Sequence, residues 1–176
     1  GSDTAEVTIA ISLINDAPES QGLDSVNGDS ATADSATLGQ INEEEAEPTS
    51  ATVNSLFNNT APHRFYADEE LDPFSGVALV ANASVLAEGL WQYSTDAGDN
   101  WNTVSLTVSD SNAVVLDPSD LLRFLPNSPN VANFFGDVGA LTVRMWDGTS
   151  GSAGSSEDIS NNVGSGGGAF AGDNDL

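Results

Sequence analysis

Short apolar runs of four to seven residues, each cut off by turn-forming residues, recur through most of this chain. They are Thr52–Phe57, Gly76–Val80, Gly89–Ser94, Asn102–Val108, Ala113–Leu116, Leu121–Leu125 and Ala140–Trp146. Between them stand "DPFSG", "STDAGDN", "SDSN", "DPSD" and "PNSPN". Runs this short are strand-sized, and several at such spacing predict an all-β fold, an antiparallel β-sandwich. One short helical turn is expected at "DPSDLL", with Asp117 as N-cap and Pro118 in the first helical position. Val131–Phe135 reads as an irregular turn. The tail from Gly148 to Leu176 is rich in Gly, Ser and Asn and reads as a loop with at most one terminal strand near Ala169–Phe170.

The first third of the chain differs. Residues 5–14, "AEVTIAISLI", alternate polar and apolar positions as a strand does. "NDAPES" follows as a turn and linker stiffened by Pro18. Residues 19–52 are poor in aromatics and rich in Ser, Asp, Glu, Ala and Thr, which predicts a partly extended acidic segment. The expected organisation is therefore 1–18 as strand and linker, 19–52 as acidic segment, and 53–176 as sandwich core and tail. Gly1-Ser2 is the kind of scar a cleaved tag leaves, so the chain reads as a piece of a longer protein.

Charge narrows the function. The chain holds 27 acidic residues against three bases, Arg64, Arg123 and Arg144, for a net charge of −24. Such a surface repels nucleic acid and anionic membranes. No apolar run approaches the ~18 residues of a membrane span. Self-repulsion of this size destabilises a compact state. A solvated acidic surface is the simpler account. The stronger one is that carboxylates in loops bind hard cations, Ca²⁺ above all, and that folding depends on them.

The acidic clusters fall where loops are expected. "ADEELDPF" packs Asp68, Glu69, Glu70 and Asp72 into five positions. Glu43 and Glu44 lead the run "NEEEAE". Asp96 and Asp99 flank Gly98, which is expected to take a positive φ in the turn "STDAGDN". They either cap that turn or hold Ca²⁺ with backbone carbonyls. Their spacing is not that of an EF-hand. Asp147 is a further candidate, as are Asp173 and Asp175. Trp91, Trp101 and Trp146 read as core anchors. With no Cys, no Lys and one His (His63), the chain lacks the parts for thiol chemistry, Schiff bases and most triads, so an enzyme is not expected.

Three passages carry a resemblance: "FSGVALVANASVLAEGLWQYSTDAGDNWNTV", "SDSNAVVLDPSDLLRFLPN" and "GALTVRMWDGTSG". They resemble the repeated extender and ligand-binding modules of very large bacterial surface adhesins, the RTX-type and cadherin-like repeat proteins. "TAEVTIAISLINDAP" separately resembles the strand and linker between two such modules. The resemblance implies an Ig/cadherin-like sandwich at the bacterial cell surface, with Ca²⁺ as cofactor and Asp16 as a ligand between modules. Implied partners are neighbouring modules of the same long chain, and a peptide or glycan on another cell. Two departures stand out. Thr4–Ile14 has the type of the family's closing strand, and is expected to complete the sheet of this chain or of a neighbour. "NTAPHRFYADEELDPF" is longer and more acidic than the family's simple linker, and insertions in sandwich loops are where binding usually resides.

Overall fold

The computed structural model describes residues 14–20, 36–58, 65–127, 136–164 and 167–172. Among the described residues ten strands and one helix follow in chain order: β1 Glu19–Ser20, β2 Ala51–Thr52, α1 Val53–Phe57, β3 Tyr66–Ala67, β4 Gly76–Asn82, β5 Gly89–Ser94, β6 Asn102–Thr103, β7 Ala113–Leu116, β8 Leu121–Pro126, β9 Leu141–Trp146 and β10 Ser156–Glu157. Two four-stranded antiparallel sheets, ordered β10-β7-β4-β9 and β2-β8-β5-β6, make an all-β sandwich. A two-stranded sheet pairs β1 with β3.

Alternation along each strand builds the core. Val77 and Leu79 of β4, Leu116 of β7 and Met145 of β9 face one interior cluster, where they meet Leu122 of β8 and the half-buried Trp91 and Tyr93 of β5. The intervening residues Ala78, Val115 and Trp146 belong to a second cluster with Ile159, Ala169 and Phe170. The Gly/Ser-rich tail thus covers the outer face of the first sheet. This is why β7 reads "AVVL" without alternation: all four side chains are buried.

Several expectations are corrected. Thr52–Phe57 is not a strand. Only Ala51–Thr52 is extended, and Thr52 then caps α1, its hydroxyl accepting from Ser55 N–H at 3.1 Å. Val53, Leu56 and Phe57 are buried, a helical spacing that the β-branched start of the run conceals. No helical turn forms at "DPSDLL". Asp117 instead accepts from Ser119 N–H and Oγ, both at 2.7 Å, and the chain enters β8 at Leu121. The strand at Asn102 stops at Thr103, because the Ser105 hydroxyl accepts from Thr107 N–H and turns the chain. Near Ala169–Phe170 no strand forms; Phe170 alone makes isolated bridges, to Trp146 and Val163. Trp101 is not a core anchor. It lies under the Arg123 guanidinium, 3.8 Å from its ring centre, and Arg123 is paired with Gln92 and Glu47. The expected strand at Thr4–Ile14, apart from Ile14, lies outside the described residues, as do Val131–Phe135, His63, Arg64, Asp173 and Asp175.

Candidate functional site

Strand register decides which loops meet. Gly76 at the start of β4 pairs with Trp146 at the end of β9, and Val77 with Leu116 at the end of β7. Ser94 at the end of β5 pairs with Leu121 at the start of β8. The loop before β4, the "STDAGDN" turn, the Asp117–Asp120 turn and Asp147 therefore share one end of the sandwich.

The linker also arrives there. The Asn15 side-chain amide donates to Asp147 Oδ2, Thr149 Oγ1 and the Gly168 carbonyl, each at 3.2 Å. Asp16 N–H donates to Glu70 Oε2 at 3.4 Å. Eight of the ten nominated carboxylates thus lie at this end: Asp16, Asp68, Glu69, Glu70, Asp72, Asp96, Asp99 and Asp147. The other two, Glu43 and Glu44, line an open depression of about 440 Å³ with Asn42 and Glu45.

Asp68 organises its own loop. Its Oδ1 accepts from Asp72 N–H at 3.0 Å, and its carbonyl accepts from Leu71 N–H at 3.3 Å. Its Oδ2 is buried and accepts no well-formed hydrogen bond, although the Tyr66 hydroxyl is near enough to Asp68 to interact with it. Leu71, at the tip, takes a left-handed φ of 65° while 87% exposed. For a γ-branched residue with no apolar contact to gain, that is local strain. The Tyr66 hydroxyl donates to the Asp72 carbonyl at 2.9 Å. Burial pushes its ionisation well above the ordinary tyrosine value, and the nearby charges of Asp68, Asp147 and Asp72 push it further.

Asp147, buried directly after β9, accepts at Oδ1 from Thr149 N–H at 2.8 Å and Oγ1 at 2.7 Å. Across the same end, Asp96 caps its turn. Oδ1 accepts from Asn100 N–H at 2.8 Å and Ser94 Oγ at 2.7 Å, and Oδ2 from the Asn100 amide at 2.7 Å. Gly98 takes the expected positive φ, 97°, and Ala97 takes one of 59°. Asp99 is exposed beside it. Asp120, buried at the neighbouring turn, was not singled out by spacing, nor were Asn15 and Tyr66. Nothing in "DPSD", "ND" or "FY" announces a role that depends on segments far away in sequence.

Chemically this end offers many oxygen acceptors and few donors. Among the described residues, no three acidic or histidine side chains are drawn together tightly enough to form a ready-made metal cage. Hard cations also take backbone carbonyls and water, so carboxylates need not supply the whole shell. Among the described residues, no helix is long and apolar enough to cross a membrane. No family model, curated protein or solved structure matches this chain.

Proposed function

We propose that this chain is a calcium-dependent extracellular adhesion module of a large bacterial surface adhesin. In this reading Ca²⁺ at the acidic end holds the sandwich loops together. It also offers open coordination positions to a carboxylate-bearing peptide end or a sugar. The observation that carries the reading is Asp68: a buried carboxylate oxygen without a well-formed hydrogen bond, on a strained loop, at the end where the acidic loops converge. A buried, unsatisfied acceptor is costly, and a cation removes that cost. Asp68 would hold the ion together with backbone carbonyls and water, and Asp72, Asp147, Glu70 and Asp16 lie at the same end. The bound ion reverses the local charge, so that an acidic protein attracts an anionic group.

A spacer role, in which Ca²⁺ only stiffens the fold and its linker, has one observation in its favour. Asn15 and Asp16 are bonded to the same acidic end, so an ion there would also fix the entering chain. Screening the protein against peptide and glycan arrays in Ca²⁺ and in EDTA separates the roles. Calcium-dependent capture supports adhesion, and calcium binding without capture supports the spacer.

Calorimetric titration with Ca²⁺ tests the ion itself. The wild-type protein is expected to bind, and Asp68→Asn to bind at least about tenfold more weakly, because one anionic ligand is lost. Absence of binding heat in the wild type, or equal affinity in the variant, would contradict the assignment.

A further inference from the structure

The three tryptophans are not used alike. Trp91 donates its indole N–H to the Gly139 carbonyl at 2.8 Å, and Trp146 donates to the Ser150 carbonyl at 2.6 Å. A ring packed into a fold needs that N–H paired, and both are. Among the described residues, none accepts from the Trp101 indole N–H, which stays open to water. One face of the Trp101 ring is already taken, by the Arg123 guanidinium at 3.8 Å from the ring centre. Arg123 is buried, whereas Trp101 is only half-buried. The ring therefore meets water on the face turned away from Arg123.

The ring is held in place from behind. Arg123 Nε donates to Gln92 Oε1 at 2.9 Å, and Nη1 donates to Glu47 Oε2 at 3.1 Å, so the guanidinium is fixed at both ends. Strand register lays out the neighbours. Gln92 pairs with Arg123 across β5 and β8, and with Thr103 across β5 and β6. Trp101 stands two residues before Thr103. Opposed residues, and residues two apart, share a face of a sheet. Trp101, Thr103, Gln92 and Arg123 thus form a row on the outer face of the second sheet, with Glu47 beside it.

We infer that this row is a platform for one neutral pyranose ring of an oligosaccharide. Such a ring has a face of C–H groups and a rim of hydroxyls. The C–H face suits an aromatic plane, and the rim needs both donors and acceptors. The platform offers both. The Trp101 indole N–H and the Gln92 amide nitrogen donate, and the exposed Thr103 hydroxyl and the exposed Glu47 carboxylate accept. Other flat ligands fit less well. A nucleotide brings phosphate, which a chain of net charge −24 repels. A cation would share the ring with Arg123, whose charge already draws on the same π electrons. Arg123 and Glu47 neutralise each other, which suits the patch to an uncharged ligand. The platform needs no metal ion, so it stands whether or not Ca²⁺ binds at the acidic end.

Titration of the full chain with cellotetraose, maltotetraose and a galactan tetramer, in Ca²⁺ and in EDTA, tests this. The readouts are tryptophan fluorescence and NMR contacts between sugar C–H protons and indole protons. At least one sugar is expected to bind equally in both media, with its C–H face against an indole. Trp101→Ala is expected to weaken binding about tenfold, and Trp101→Phe less, because it keeps a ring and loses only the N–H. If the alanine variant misfolds, the wild-type NMR contacts decide. No binding by any of the three sugars, binding unchanged in Trp101→Ala, or bound sugar without indole contacts would overturn the inference. Binding that appears only in Ca²⁺ would place the sugar at the acidic end and overturn it too.

Discussion

Two carboxylates in neighbouring turns at one end of the sandwich, Asp96 and Asp120, are pushed in opposite directions by their surroundings. Asp96 is exposed and accepts from Asn100 and Ser94, and these bonds hold its ionisation below the ordinary 3.8. A lowered folded value means stability that is present above the unfolded value and lost as pH falls through the folded one. Asp96→Ala is therefore expected to destabilise at pH 7 and to matter less as the medium turns acid. Asp120 is raised, first by burial and then by Asp117, against the pull of its bond from Asp117 N–H at 2.8 Å. Its charge costs stability above its folded value, and the cost fades as pH falls through that value. Asp120→Asn is expected to stabilise at pH 7, with the gain shrinking toward acid; urea melts across pH check both signs, and a gain constant with pH would contradict the second. Sequence made the Asp96 turn legible because its partners are within four residues. Asp120 was not legible, because burial by distant strands sets its behaviour.

At the scale of elements, strand-sized runs were readable wherever pairing simply continued the run, as in β5 and β7. They misled at Thr52–Phe57, where a side-chain cap starts a helix, and at Ser105, where a hydroxyl turns the chain. Trp101 misled because sandwich strands have two faces, and this ring covers the outer one beneath Arg123. The tail was read as a loop, yet it supplies Phe170, fully buried and stacked on Trp146 with ring centres 6.0 Å apart. Phe170→Ala is expected to cost about 3–5 kcal/mol, measured by denaturant unfolding, as for other fully buried aromatics. Loss of under ~1 kcal/mol would mean that the tail is a dispensable cover. Gly76, at the start of β4, has a φ of 136° and no space for a Cβ, which would meet the Leu116 carbonyl oxygen at 1.9 Å. Gly76→Ala is expected to separate β4 from β7 and lower the melting point sharply, because backbone rather than a flexible side chain must move.

For the whole molecule, the acidic clusters were visible in sequence, but their meeting at one end was not. That meeting depends on which strand pairs with which, and no local pattern contains it. Eight nominated carboxylates at one end of a chain of net charge −24 repel one another unless a cation lies among them. A ligand that binds only the folded state, present at ~100 times its dissociation constant, adds about 2.7 kcal/mol, which for a domain of this size is about 5–10 °C in melting temperature. The most direct test is thermal unfolding of the intact chain in millimolar Ca²⁺ and in EDTA, at equal ionic strength, with Mg²⁺ as a comparison. The account predicts a rise of that size in Ca²⁺ and a clearly smaller one in Mg²⁺. Coincident melting curves in Ca²⁺ and EDTA would contradict it.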